Sequence, residues 1–207
     1  MYMGRRDAAA RQAEKEQLML RFRAFSVSLA ATALLIVALA TSWAYVLVKG
    51  TDDLLMRYGF GGVKYHGRMG PFSYSGDFFR YEGMGFYIVS IALILLVGAI
   101  ALSALLTVSV HRRGWPLKEE FCTKASVSCM ALAGAVLVLI SVVAPMEIMG
   151  LHPFIWHTVT GETITSSVTP GLAWYLIIVF IFLQLFLLSL LRRMGVGMDV
   201  GSGKPCR

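Results

Sequence analysis

An all-α membrane fold, a bundle of four transmembrane helices, is what this chain predicts, and three observations predict it. Four apolar runs, at 24–48, 84–110, 125–146 and 171–191, each exceed the roughly 20 residues that a helix rising about 1.5 Å per residue needs to cross hydrocarbon. No Lys, Arg, Asp or Glu interrupts any of them. The composition, 57% hydrophobic and 15% charged with a mean hydropathy of +0.69, lies outside the soluble globular range. What remains between the runs is too short for a separate water-soluble domain. The expectation is one membrane domain at 24–191, flanked by an N-terminal tail at 1–23 and a C-terminal tail at 192–207.

The N-terminal tail alternates charges with good helix formers (Ala8, Ala9, Ala10, Leu18, Met19, Leu20), which suggests a helix continuing into the first span, partly on the headgroups, with a solvated cytoplasmic extension as the preferred reading. That span is expected to be retained. Its apolar core is longer than that of a signal peptide and follows a polar stretch rather than a short basic start. Gly4 and Cys206 lack the spacing for myristoylation and prenylation.

The connection at 49–83 is the longest and the most irregular. Tyr58, Phe60 and Tyr65 interleave with Gly59, Gly61, Gly62 and Gly67, and Pro71 and Gly76 follow. Such spacing suits short strands with tight turns, since glycine supplies the positive-φ positions. A small β-hairpin in this first outer loop is therefore expected. Two strands alone are marginal in water, so the hairpin must lean on the second outer loop or on a partner. Tyr58, Phe60, Lys64, Tyr65 and His66 are the candidate contact residues of this loop, and Phe78 to Tyr81, just before span two, suit an interfacial aromatic belt.

The loop at 111–124 is short and forces spans two and three into an antiparallel hairpin. Span three carries the clearest packing face, with Ala125, Cys129 and Ala133 every four residues and Gly134 beside them. Small residues at helical spacing let helices approach closely where lipid offers no hydrophobic drive to associate. Ala24, Ser28 and Thr32 in span one and Ala99 and Ser103 in span two repeat the pattern. Pro145 is expected to bend or end span three. The second outer loop, 147–170, holds an apolar turn whose Phe154 and Trp156 join the candidate contact surface. In span four Gln184 is the one strongly polar side chain deep in any run, and it predicts an interhelical hydrogen bond.

The net charge of +7 is distributed by side. Most of the 19 Lys and Arg lie in the N-terminal tail, the middle loop and the C-terminal tail, whereas the two outer loops offset theirs with Asp52, Asp53, Asp77, Glu82, Glu147 and Glu162. Cytoplasmic segments accumulate Lys and Arg because their translocation is disfavoured, so both termini are expected in the cytoplasm. The basic excess then reflects topology and anionic lipid rather than nucleic acid. The three cysteines, Cys122, Cys129 and Cys206, all fall on the cytoplasmic side of this scheme, which leaves no pair for an outer-loop disulfide. Cys122, beside a span, is a palmitoylation candidate. With no Asn in the chain, N-linked glycosylation is chemically impossible.

No catalytic, cofactor-binding or metal-binding residues emerge. The spans lack the charged or broken helices of carriers and the axial histidines of haem proteins, and His66, His111, His152 and His157 all lie outside the four runs. Phosphate loops, nucleophile elbows and zinc pairs are also missing.

Cytoplasmic termini, a long first outer loop, a shorter second one and about two hundred residues resemble the claudin-like tetraspan architecture, and Trp43 at the outer end of span one resembles the loop tryptophans of claudins. The first loop also resembles the signature of amastins, tetraspan surface proteins of parasitic flagellates. That signature is Cys, an apolar or Tyr residue, Ser or Thr, an apolar residue, Trp, Gly, any residue, a basic residue or Gln, any residue, a polar residue, Cys. Laid on 57–67, Tyr58, Phe60, Gly62 and Lys64 fall in register, while Arg57 and Gly67 replace both cysteines, Gly59 the hydroxyl residue, Gly61 the Trp and His66 the small polar residue. The resemblance implies a plasma-membrane surface protein that acts by contact, through self-association or with other membrane proteins, without catalysis or cofactor. The alternative is a small accessory subunit of a multi-protein membrane complex, a respiratory or channel assembly, in an organelle membrane.

Overall fold

A computed structural model describes residues 3–49, 54–69, 72–78, 83–111, 119–158 and 165–201. Among them the elements run α1 (Met3–Ala40), β1 (Ser42–Lys49), β2 (Leu54–Gly59), β3 (Gly62–Met69), β4 (Phe72–Phe78), α2 (Gly83–His111), α3 (Glu119–Thr158), β5 (Thr165–Pro170) and α4 (Leu172–Gly201). Four stretches are long and apolar enough to cross a membrane: Glu14–Ala40, Met84–His111, Phe121–Val143 and Leu172–Arg193. α1 packs on α2 and α4, and α3 packs on the same two, so the helices form a four-membered ring.

The bundle is apolar outside as well as inside, with a few small polar residues and one glutamine among the buried ones. Ser28, Thr32, Ser103, Thr107, Ser126 and Gln184 are buried, while Ile94, Val138 and Phe182 are about two-thirds exposed (69%, 65% and 65%). Soluble proteins place large apolar side chains inside and leave only small apolar patches outside. A ring of helices with this arrangement is solvated by acyl chains. The chain is a multi-pass membrane protein.

The helices differ from the sequence expectation at the end of α1 and at Pro145. α1 ends at Ala40 instead of running to 48, and the last part of that apolar run, Ser42–Lys49, is strand β1. The run is uncharged throughout, so hydropathy does not mark the change. The signal is the shift to Trp43, Tyr45, Val46 and Val48, residue types that suit a pleated surface. The N-terminal tail is helical, α1 continuing back through it to Met3. Pro145 does not end α3, which continues to Thr158. Proline is tolerated in membrane helices where neighbouring groups satisfy the freed carbonyl.

The β structure is also larger than one hairpin, so the fold is not all-α. Five antiparallel strands pair in the order β4-β3-β2-β1-β5. The first loop supplies β2, β3 and β4, the second supplies β5, and β1 joins the two sets. The expected support of the first loop by the second is thus made through β1. Phe60 and Gly61 form the two-residue turn between β2 and β3, and Gly62 after it has φ of 133°, a conformation that glycine adopts without steric cost.

Candidate contact surface

The sheet has two chemically distinct faces, and the register defines them because alternate residues point to opposite sides. The inner face carries Ala44, Val46, Met56, Tyr58 and Val63, all buried in one core with Leu35 and Ala38 of α1, Val89 of α2, Ile140 and Val143 of α3 and Ala173 and Ile177 of α4. The register of β1 against β2 shifts between Ser42 and Ala44, a bulge that leaves Trp43 as the extra residue. This bulge lets Trp43 and Ala44 both be buried although they are neighbours in sequence. The Trp43 and Tyr58 rings lie 5.5 Å apart and tilted by 50°, within the range of favourable aromatic pairs. Tyr65 lies across Gly76, its cross-strand partner on β4, and a Cβ at Gly76 would collide with the Tyr65 ring.

The outer face is polar and basic. One rung reads Thr169, Tyr45, Arg57, Lys64 and Asp77 across β5, β1, β2, β3 and β4, and the next reads Ser167, Leu47, Leu55, His66 and Ser75. Arg57, Lys64, His66 and Ser75 are exposed, and Tyr45, Leu47 and Leu55 are half-buried.

The structure therefore divides the candidate contact residues. Lys64 and His66 lie on the accessible outer face. Tyr58 and Phe60 do not; they are 1% and 8% exposed and belong to the core under the sheet. Tyr65 is half-buried on the inner face. Phe154 and Trp156 lie on the backbone of α3 rather than in a loop, and their side chains fall outside the described residues, as do those of Phe78 to Tyr81. Arg57, Tyr45 and Leu55 are surface members that sequence reading does not single out. Their signal is alternation with Met56 and Tyr58, legible only once the strand register is fixed.

The sheet end of the bundle is ringed by aromatics. Phe86 and Tyr87 begin α2 and Trp174 and Tyr175 begin α4; Tyr87 and Tyr175 are 67% and 52% exposed. Amphipathic rings at this level suit the headgroup boundary. At the other end exposed Arg21, Arg23, Lys124, Arg192 and Arg193 form a basic collar, and the rings of Phe25 and His111 lie 4.9 Å apart.

A polar network fastens the helices between these ends. Gln184 of α4 accepts at Oε1 from Ser126 Oγ of α3 at 2.9 Å and donates from Nε2 to Ser103 Oγ of α2 at 3.4 Å. Ser103 lies 2.8 Å from Thr32 Oγ1 of α1, and Ser28 of α1 lies 2.7 Å from Thr107 of α2. Thr32 and Thr107 donate to the carbonyls of Ser28 and Ser103, both at 2.9 Å. Each hydroxyl has one proton, so Ser103 donates to Thr32 and Ser28 donates to Thr107. Gln184 thus makes two interhelical side-chain bonds where one is expected, in a chain that touches all four helices.

Ala125, Cys129 and Ala133 are buried as the spacing predicts, with Cys129 Sγ 3.8 Å from the carbonyl of Ala99 on α2. Gly134 is not part of that face: a Cβ there would meet nothing within 4 Å. Cys122 is buried in a second cluster with Leu106, Leu187 and Leu190, so its thiol is not presented for acylation in this state. Among the described residues no group of three or more His, Cys, Asp or Glu is placed to hold a metal ion. No protein-family model matches the chain, and no curated protein matches its sequence.

Proposed function

We propose that this is a non-enzymatic tetraspan membrane protein that organises a membrane surface by contact, using the outer face and open edges of its sheet. The observation that carries this reading is the fusion of both loops into one five-stranded layer fixed to the helix ends through the Trp43 and Tyr58 core. A rigid platform with an accessible polar face suits recognition of another macromolecule or a second copy. Edge strands β4 and β5 offer backbone groups for strand addition.

The claudin-like resemblance fits this reading better than the amastin-like one. Arg57 belongs to the outer face and Gly67 to the inner one, since Arg57 pairs with Lys64 and Gly67 with Leu54. Cysteines at those two positions would point apart and could not bridge without moving backbone. The proposal includes both termini in the cytoplasm and residence in the plasma membrane, with lipid and other membrane proteins as partners.

One observation favours the accessory-subunit alternative: Leu18, Met19 and Phe22 form an exposed apolar stripe on α1 next to Arg21 and Arg23. Such a stripe is suited to a neighbouring subunit. A tag inserted at Gly61, where added atoms meet nothing within 4 Å, separates the readings. Labelling on intact cells supports the surface protein. Labelling only after permeabilisation, with recovery in a fixed-stoichiometry organelle complex, overturns it.

A further inference from the structure

The outer face of the sheet sets two cations directly opposite one another. Arg57 on β2 and Lys64 on β3 are direct cross-strand partners, and both are exposed. Like charges at directly opposed positions destabilise a strand pair. His66 stands two residues further along β3 on the same face. None of the three has an ion-pair or hydrogen-bond partner among the described residues.

Asp77 on β4 is the other register partner of Lys64, its side chain lying outside the described residues. The C-terminal end of α1 borders a cavity of about 210 Å³ that Arg57 and Lys64 also line, and the last carbonyls of a helix carry partial negative charge.

A larger cavity of about 460 Å³ is lined by Arg57, Lys64 and His66 together with Leu55, Tyr65, Ser75 and Gly76. Its volume is within the range of small-ligand pockets, about 300–1,000 Å³. We propose that this pocket binds a tetrahedral oxyanion, a phosphate or sulfate group. The residues offer a planar guanidinium fork, an ammonium, an imidazole N–H and a hydroxyl from three adjacent strands. A planar carboxylate is satisfied by an arginine fork alone; oxygens arranged tetrahedrally use donors from several directions. A soluble phosphate or sulfate and a phosphorylated lipid headgroup share this chemistry, and the two arms of the test separate these sources. This inference goes beyond the contact function and holds whether or not that reading does.

The test uses the full chain in zwitterionic nanodiscs, titrated calorimetrically with inorganic phosphate and with sulfate, against chloride at matched ionic strength. Saturable binding of the two oxyanions is expected. The double variant Arg57→Gln/Lys64→Gln should weaken it at least about tenfold, because it removes two charge-assisted hydrogen-bond donors. Arg193→Gln, at the opposite end of the bundle, should leave it unchanged. In the absence of oxyanion the double variant should melt at or above the wild-type temperature, and phosphate should raise the melting temperature of the wild type alone. Equal responses to phosphate and chloride, undiminished binding in the double variant, or a double variant that melts far below wild type without anion would each overturn the proposal. Nanodiscs containing a phosphorylated inositol lipid form the second arm. If that lipid displaces phosphate from the wild type and not from the variant, the oxyanion site stands with the lipid headgroup as its source; if it does not, the source is a soluble oxyanion.

Discussion

Gly171 donates its backbone N–H to the carbonyl oxygen of Trp43 across 2.8 Å, tying the start of α4 to the start of β1. The two backbones approach so closely that a Cβ on Gly171 would run into the carbonyl of Ser42. Here the sheet is locked to the bundle, and only glycine fits. Gly171→Ala should destabilise the protein by more than about 1 kcal/mol, since a side chain forced into incompatible space costs more than the modest gain from restricting the unfolded chain. Gly134→Ala, facing open space inside a helix, should be neutral or stabilising by up to about 1 kcal/mol. Reversible unfolding in bicelles compares the two; equal effects would refute the lock.

Gln184 should couple energetically to Ser126. Interhelical hydrogen bonds inside membranes average about 0.6 kcal/mol and reach about 1.7 kcal/mol by double-mutant cycle. The cycle Ser126→Ala with Gln184→Leu is expected in that range. An interaction energy indistinguishable from zero would mean that the 2.9 Å bond does not hold the bundle together.

Trp43→Ala should cost about 3–5 kcal/mol, the usual range for removing a large buried aromatic. The loss should fall mainly on the sheet, read as faster amide hydrogen exchange in β1 and β2 than in α2 and α3. Uniform loss of protection would place Trp43 outside the joint between sheet and helices.

Much of the membrane architecture is legible in the sequence, because acyl-chain solvation writes itself as uncharged runs, and small-residue spacing at Ala125, Cys129 and Ala133 marks a true packing face. Other features leave no comparable trace. The boundary at Ala40 lies inside one apolar run, where a strand and a helix are equally hydrophobic. The polar network is hidden because a hydroxyl in a helix can bond its own preceding turn, as Ser109 does to Leu105, or reach a neighbouring helix as well, as Thr32 and Ser141 do. The two faces of the sheet depend on register. A one-residue slip would send Arg57 inward and Tyr58 outward, and the Tyr58 expectation fails for that reason; Phe60 is buried from the turn that follows β2.

Cys122 and Cys129 should resist a membrane-permeant maleimide in the folded protein and react on denaturation, since both thiols are packed between helices. Mass spectrometry of tryptic peptides reads the modification. Rapid native labelling, or a fatty acyl chain on Cys122, would show that the lower end of the bundle opens.

The most direct test of the lipid-facing apolar surface is the collision accessibility of single nitroxide labels at Ile94, Phe182 and Lys64 in lipid. The account predicts high oxygen and low nickel-chelate accessibility at Ile94 and Phe182, with the reverse at Lys64. A nickel chelate reaching Phe182 as freely as Lys64 would contradict it.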